Sequence, residues 1–319
     1  MRTGAAAGHP GYFHAAVRYA SDEELVEVTL PFLLGGIAAG EPTIVAFGER
    51  TAGLIRSALP VGTPVRFLAG GARYARPSSA IRGYRDLLAK HVAAGATQIR
   101  IIGEMPSAAF GNTWDWWARY ESAINHAYDD FPLWSMCAYD TRITPAAVLT
   151  DVARTHPRFA VAGGRHEDSD AYTDPREYLS EHRPPVLDPL QAGPPTVVLE
   201  APTPGEARRA VHAADRGGMP AQHVDDLVVA VSETVTNAIR YGRPPVHLRV
   251  WGGADRIVVT VTDAGAGPKD PFAGLLPATG TATGGRGLWI AHQACDHVAA
   301  ANDDEGWTIR MIAGGTTVS

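Results

Sequence analysis

The chain has little cysteine and almost no lysine. Cys137 and Cys295 are its only thiols. They stand in different halves inside apolar segments, so a buried free thiol is a simpler reading than a disulfide or a metal ligand. A reducing cytoplasm is the expected compartment. Lys90 and Lys269 are the only lysines, and 28 basic against 34 acidic residues leave a formal net charge of −6. No basic field draws in nucleic acid or anionic lipid, so direct nucleic-acid binding is not expected. No run reaches the roughly 18 apolar residues of a membrane span, and residues 1–12 lack the basic-then-apolar pattern of a secretory leader. The G-x-x-x-x-G-K-[ST] pattern is absent, so no P-loop nucleotide chemistry is expected of the first half.

With 45% hydrophobic residues over 319 positions, the chain suits two domains with separate cores. A helical pattern over Asp22–Ala39 carries Leu25, Val28, Leu30, Leu33 and Leu34. Strand-like runs at Thr43–Phe47, Val65–Ala69, Gln98–Gly103 and Leu133–Tyr139 then alternate with helix-like runs at Arg50–Leu59, Ser78–Ala94, Thr113–Asp129 and Pro145–Ala153. Short apolar runs between longer helices predict an α/β domain over 1–160, a mostly parallel sheet covered on both faces. Ligands of such sheets lie beyond the carboxyl ends of the strands, where Glu104 and Asp140 fall. Helix caps or surface carboxylates are the equal alternative for both. His14, before the first helix, is a further candidate for that site, against the commoner use of a lone histidine in packing. Trp114, Trp116 and Trp117 line a pocket or pack a core. Residues 161–195, punctuated by Gly163, Gly164, Pro184, Pro185, Pro194 and Pro195, read as a connector with one short helix near Pro175–Glu181. His156, His166 and His182 read as solvated.

The second half, 196–319, opens with a strand at Thr196–Glu200 and helices at Gly205–Arg216 and Ala221–Tyr241. On the longer helix Leu227, Val231, Val235 and Ile239, widened by Val224 and Val228, predict a core stripe. Glu233 and Asn237 are one turn apart and point away from that stripe. An amide oxygen can ligate a hard cation such as Mg²⁺, and a carboxylate can orient or deprotonate a hydroxyl. Alone, the pair is an ordinary polar face. Downstream, Pro245–Trp251 and Arg256–Thr262 predict a hairpin. Asp263 ends it and opens D-x-G-x-G, where a fixed carboxylate can accept from an adenine amino group and Gly265 and Gly267 permit close backbone approach. Gly284, Gly285, Arg286, Gly287 and Leu288 then open a helix whose N-terminus offers N–H groups to phosphates. Arg286 either meets a transferring phosphoryl group or pairs with the acidic lid or Asp296.

These motifs resemble the GHKL ATPase and kinase superfamily, most closely its anti-sigma-factor kinase branch. The resemblance implies an α/β sandwich that binds ATP, with Asn237 on Mg²⁺, Asp263, Gly265 and Gly267 at the base, and Gly285 and Gly287 at the phosphates. It also implies a short lid over Pro268–Ala282 and Thr308 beside the adenine-binding aspartate. Tyr241 stands where many relatives have histidine, and no dimerisation hairpin with a phosphoacceptor histidine precedes the domain. The first half, through His14–Tyr19, Leu33-Leu34-Gly35-Gly36, Gly40-Glu41-Pro42, Tyr139-Asp140-Thr141-Arg142 and Thr155-His156-Pro157, resembles the MEDS sensory domain, a RecA-like or KaiC-like module. It implies a small organic ligand. The expected protein is a sensor joined to an ATP-dependent serine/threonine kinase, with a STAS-type anti-sigma antagonist as partner or a sigma factor as client. A sigma-sequestering module without phosphoryl transfer and an atypical histidine kinase are the alternatives. A homodimer is compatible with each.

Overall fold

A computed structural model describes residues 2–68, 76–183, 186–277, 286–303 and 306–315, excepting the side chains of 286 and 303. The contacts divide the chain into two compact units, the first running in the main to Leu179 and the second from Ser180 onward.

The first unit is built on β1 (Phe13–Tyr19), β2 (Thr43–Ala46), β3 (Arg66–Phe67), β4 (Ile99–Glu104), β5 (Leu133–Asp140), β6 (Arg158–Val161) and β7 (Arg165–Asp168). Its seven-stranded sheet has the order β3-β2-β4-β5-β1-β6-β7. All neighbours are parallel except the β6–β7 hairpin. The helices are α1 (Asp22–Ala38), α2 (Glu49–Ala58), α3 (Pro77–Ala93), α4 (Trp114–Ala127), α5 (Ala146–Thr155) and α6 (Pro175–Ser180). Ser21 caps α1 by accepting from Glu24 N, with Asp22, Glu23 and Glu24 in the first turn facing the positive end of its dipole.

The predicted alternation of strand and helix is present, but β1 is an addition. His14 and Arg18 interrupt an otherwise apolar run, and the strand lies inside the sheet between β5 and β6. Alternation sends Phe13, Ala15, Val17 and Tyr19 into a core with Leu25, Phe32 and Leu33 of α1, and His14 to the other face. The stretch expected as a connector begins as sheet. Gly163 and Gly164, with φ of 75° and 72°, make the turn between β6 and β7, so residues that punctuate a sequence here close a hairpin. α6 is the short helix expected near Pro175. Pro184 and Pro185 lie outside the described residues, as does Ala69 at the end of the second predicted strand.

The second unit has β8 (Val197–Glu200), α7 (Pro204–Ala214), α8 (Ala221–Tyr241), β9 (Val246–Gly252), β10 (Arg256–Asp263), α9 (Arg286–Ala294), β11 (His297–Asp303) and β12 (Gly306–Gly314). The strands form one antiparallel sheet in the order β11-β12-β10-β9-β8. A reciprocal capping box between Thr203 and Glu206 starts α7. Val224, Leu227, Val231, Val235 and Ala238 of α8 pack on Val259, Val261, Ile309 and Met311, making a helical layer on one face of the sheet.

One predicted core residue is misplaced. Ile239 is 55% exposed, and Ala238 is buried in its stead. At about 100° per residue, three steps of four rotate the stripe by about 120°, so a strict i+4 ladder leaves the core within three turns.

Candidate functional site

The second unit contains a cavity of about 370 Å³ walled by Asn237, Ala238 and Tyr241 of α8, Val261 and Asp263 of β10, the Gly265–Pro268 turn, Leu288 of α9, and Trp307 and Ile309 of β12. Of the predicted residues it brings together Asn237, Asp263, Gly265, Gly267 and Leu288.

Asp263 is 7% exposed and held rigidly. Its Oδ1 accepts from Arg243 N at 3.0 Å and from Gly265 N at 2.8 Å. Both bonds end on one oxygen, so Oδ2 keeps its lone pairs for a ligand in the cavity. Gly242 lets the end of α8 approach this carboxylate, since a Cβ there would lie 2.5 Å from Asp263 Cγ. Neither Gly242 nor Arg243 stands out in the sequence, because the first contributes by lacking a side chain and the second through its backbone.

The glycines serve the packing of the chain itself before any ligand. A Cβ on Gly265 would fall 2.6 Å from Asp263 Oδ1, and one on Gly267 2.4 Å from the Trp307 ring, at a φ of +76°. Gly267→Ala is therefore expected to destabilise the second unit by about 2–3 kcal/mol, from left-handed backbone strain and displacement of the indole. Chemical denaturation of the full chain, followed by tryptophan fluorescence, measures it.

Asn237 lies on the cavity wall, half-buried, and among the described residues no hydrogen bond ties its carboxamide. A Cβ on Gly287 would sit 2.5 Å from its Nδ2, so the backbone at the start of α9 passes directly over this amide. An untied amide oxygen beside a helix N-terminus fits a Mg²⁺ ion that takes its remaining ligands from phosphates and water. Glu233 is on the same helix face one turn earlier and does not line the cavity. Gly284, Gly285 and the Arg286 side chain lie outside the described residues. The lid expected over Pro268–Ala282 is described to Pro277. There Phe272 and Leu275 are buried at 3% and 4% exposure, so this part is anchored.

Thr308 is not brought to the cavity. It pairs with Thr262 across β10 and β12, and their hydroxyls are 2.8 Å apart. Ile309 and Met311 share the helix-covered face with Val259 and Val261, so alternation puts Thr308 and Thr262 on the opposite face.

In the first unit Glu104 and Asp140 share one edge of the sheet, and His14 lies apart from them. Glu104 accepts from Gly48 N at 2.7 Å, at the N-cap of α2, and burial raises its pKa. Asp140 is bound to Arg142 at 2.7 and 2.8 Å, and that guanidinium holds its pKa down; Arg142 also reaches Asp22. His14 is fully buried, five residues before Tyr19, which is the partner of Asp140 in the sheet register. At about 3.3 Å per residue it lies some 16 Å below the edge that carries the two carboxylates. His156 is fully buried as well, against the expectation of a solvated residue. It closes α5, and its ring centroid is 4.2 Å from that of His14. Trp114, Trp116 and Trp117 are all buried in α4, with Trp114 Nε1 donating to Asp151 at 2.9 Å.

Models of two known families match this chain. The MEDS model, a methanogen/methylotroph DcmR sensory domain, covers residues 13–157, and the histidine kinase-like ATPase domain covers residues 200–313. The chain joins a MEDS sensory domain to a histidine kinase-like ATPase domain. No curated protein matches it. Both matches fall on the halves from which each resemblance was read, and in the same order. The ATPase match spans α8, β10, α9 and nearly all of β12, every helix and strand that walls the cavity. The MEDS match begins at the first residue of β1 and ends one residue past His156, so it encloses both buried histidines. Among the described residues no helix is long and apolar enough to cross a membrane.

Proposed function

We propose that the protein is a signalling kinase of the anti-sigma-factor type. Occupancy of its MEDS domain would govern ATP-dependent phosphorylation of a serine or threonine on a STAS-type anti-sigma antagonist, with a sigma factor as the second client. The observation that carries this reading is the pairing, across one cavity, of a carboxylate with a single fixed oxygen and an untied amide one helix turn from Glu233. Asp263 Oδ2 accepts from the adenine amino group, and its rigidity excludes bases that present an acceptor there. Asn237 would hold Mg²⁺, which supplies charge neutralisation along the triphosphate. Glu233 takes the proton of the partner hydroxyl as its oxygen bonds the γ-phosphorus and the bond to the β–γ bridging oxygen breaks, releasing ADP. Transfer to a partner rather than to the chain itself is favoured by the segment before β8. Its described residues between α6 and β8 hold one 3-10 turn, Pro189–Ala192, where a phosphoacceptor histidine would need a pair of long helices.

For the sensed small organic molecule, the MEDS domain offers a cavity of about 440 Å³ bounded by Val28, Phe32, Trp134, Met136 and Ala160, with Arg100 at its polar end. Predominantly apolar walls with a few polar groups suit a compact, mostly apolar ligand.

Incubating the protein with γ-labelled ATP and a STAS partner tests the kinase. Label is expected on a partner serine or threonine, falling at least about 100-fold in Glu233→Ala while ATP affinity is retained. Tight ATP binding with no transfer would leave only the sequestering role. Acid-labile label on the chain itself would identify a histidine kinase.

A further inference from the structure

Four side chains from four elements of the MEDS domain meet in its interior: His14 of β1, Glu121 of α4, Cys137 of β5 and His156 at the end of α5. One ligand atom from each lies within 4.8 Å of every other. His14 Nε2 is 3.5 Å from Cys137 Sγ and 3.8 Å from Glu121 Oε2. Glu121 Oε2 is 3.7 Å from Cys137 Sγ and 3.5 Å from His156 Nε2. Bonds of about 2.0–2.3 Å to a tetrahedral ion separate its ligands by roughly 3.3–3.8 Å, which is the range these four distances occupy.

The far side of each imidazole is already committed. The amide nitrogen of Asn125 donates to the carbonyls of Glu121, Ser122 and Thr155, so its Oδ1 faces His14 and accepts from Nδ1–H at 2.9 Å. His156 Nδ1–H donates to Val152 O at 2.9 Å. Both rings therefore carry the proton on Nδ1 and present the Nε2 lone pair to the cluster, the outer hydrogen bonding that orients metal-binding histidines. His156 Nε2 is sealed from water with no hydrogen-bond partner. Burying such an acceptor against a carboxyl group is costly unless something electropositive stands between them.

We propose that His14, Glu121, Cys137 and His156 form a binding site for one divalent transition-metal ion, zinc by the chemistry of its donors. Two neutral imidazoles, a thiolate and a carboxylate are borderline-soft ligands that favour tetrahedral Zn²⁺ over Mg²⁺ or Ca²⁺. Charge balances within the site: the ion displaces the thiol proton and the carboxyl proton to solvent, and two anionic ligands neutralise its double charge. The bound ion ties β1, α4, β5 and α5 together, so it also stabilises the sensory domain.

Cobalt(II) titration of the full-length, chelator-stripped, reduced protein is the test. Tetrahedral cobalt bound to a thiolate gives intense visible d–d bands and a near-ultraviolet sulfur-to-metal charge-transfer band, and cobalt at the ATP site, which has oxygen ligands, gives no such charge transfer. Saturation at one equivalent and displacement by zinc are expected. Because the chain has only two cysteines, Cys295→Ser leaves Cys137 as the sole thiol. The band is expected to persist in Cys295→Ser and to vanish in Cys137→Ser. If Cys137→Ser fails to fold, the Cys295→Ser protein still decides. No charge-transfer band in Cys295→Ser, or an undiminished one in folded Cys137→Ser, overturns the proposal.

Discussion

Asp263→Asn is expected to weaken ATP binding by about 100-fold or more while leaving the melting temperature of the protein nearly unchanged. The substitution separates the base recognition proposed for this residue from its structural role in the turn. The Asn carboxamide oxygen can replace Oδ1 and still accept from Arg243 N and Gly265 N, so the turn after β10 keeps both internal bonds. The NH₂ group then stands in place of Oδ2 and faces the adenine amino group donor to donor. A buried donor left unsatisfied costs about 1–3 kcal/mol on each side of the contact, and the favourable hydrogen bond is lost as well. Asp263→Ala would mislead, because it orphans two backbone N–H groups and unsettles the turn along with the ligand. Titration calorimetry with ATP, run beside a thermal melt, distinguishes these cases. ATP affinity unchanged in Asp263→Asn would remove the aspartate from base recognition. A matched loss of affinity and melting temperature would assign it to the scaffold alone.

The ATPase half was legible because its chemistry is local. Asn237 follows Glu233 by one turn, and Asp263, Gly265 and Gly267 occupy a single bend, so spacing alone implies proximity. What spacing does not carry is face. Thr308 sits opposite Thr262, and strand alternation turns both from the cavity, a fact that needs the register of β12 against β10. Gly265 and Gly267 were visible as a motif, but their reasons were not: the Asp263 carboxylate and the Trp307 ring occupy the space a Cβ would need, and Trp307 is remote in sequence; Gly242, which also makes room for Asp263, belonged to no motif. In the MEDS half the limit is of another kind. His14, Glu121, Cys137 and His156 come from four elements with no repeated interval, so no metal-ligand spacing is present to be read. Glu104 and Asp140 stand at strand ends as expected, yet a helix cap and an arginine have claimed them.

Some residues behind the MEDS resemblance hold the fold, and their removal is expected to have the largest effect on stability. Glu41 and Arg100 form an ion pair at 2.6 Å with both side chains almost entirely buried. The guanidinium also donates to Phe32 O and Thr3 Oγ1 at 2.7 Å each, and lies over the Trp134 ring at 4.5 Å. Gly35 and Gly36 make room for it, because a Cβ on Gly36 would stand 2.9 Å from Arg100 Cδ and 2.4 Å from Thr43 Oγ1. The Gly-Gly end of α1 and the Gly-Glu-Pro turn after it are thus two sides of one buried charge site. Arg100→Met leaves the Glu41 carboxylate in the interior without its cation, and is expected to cost about 3–5 kcal/mol. The pair as a whole contributes far less, since desolvating two charges consumes most of their attraction. The double substitution Arg100→Met, Glu41→Met, which puts apolar side chains at both positions, is therefore expected to recover more than half of the single-mutant loss. Urea denaturation of the three proteins measures both terms. A double mutant as unstable as the sum of its parts would show that Thr3, Gln98 and Phe32, the other groups bonded to this pair, hold the fold through Glu41 and Arg100 independently.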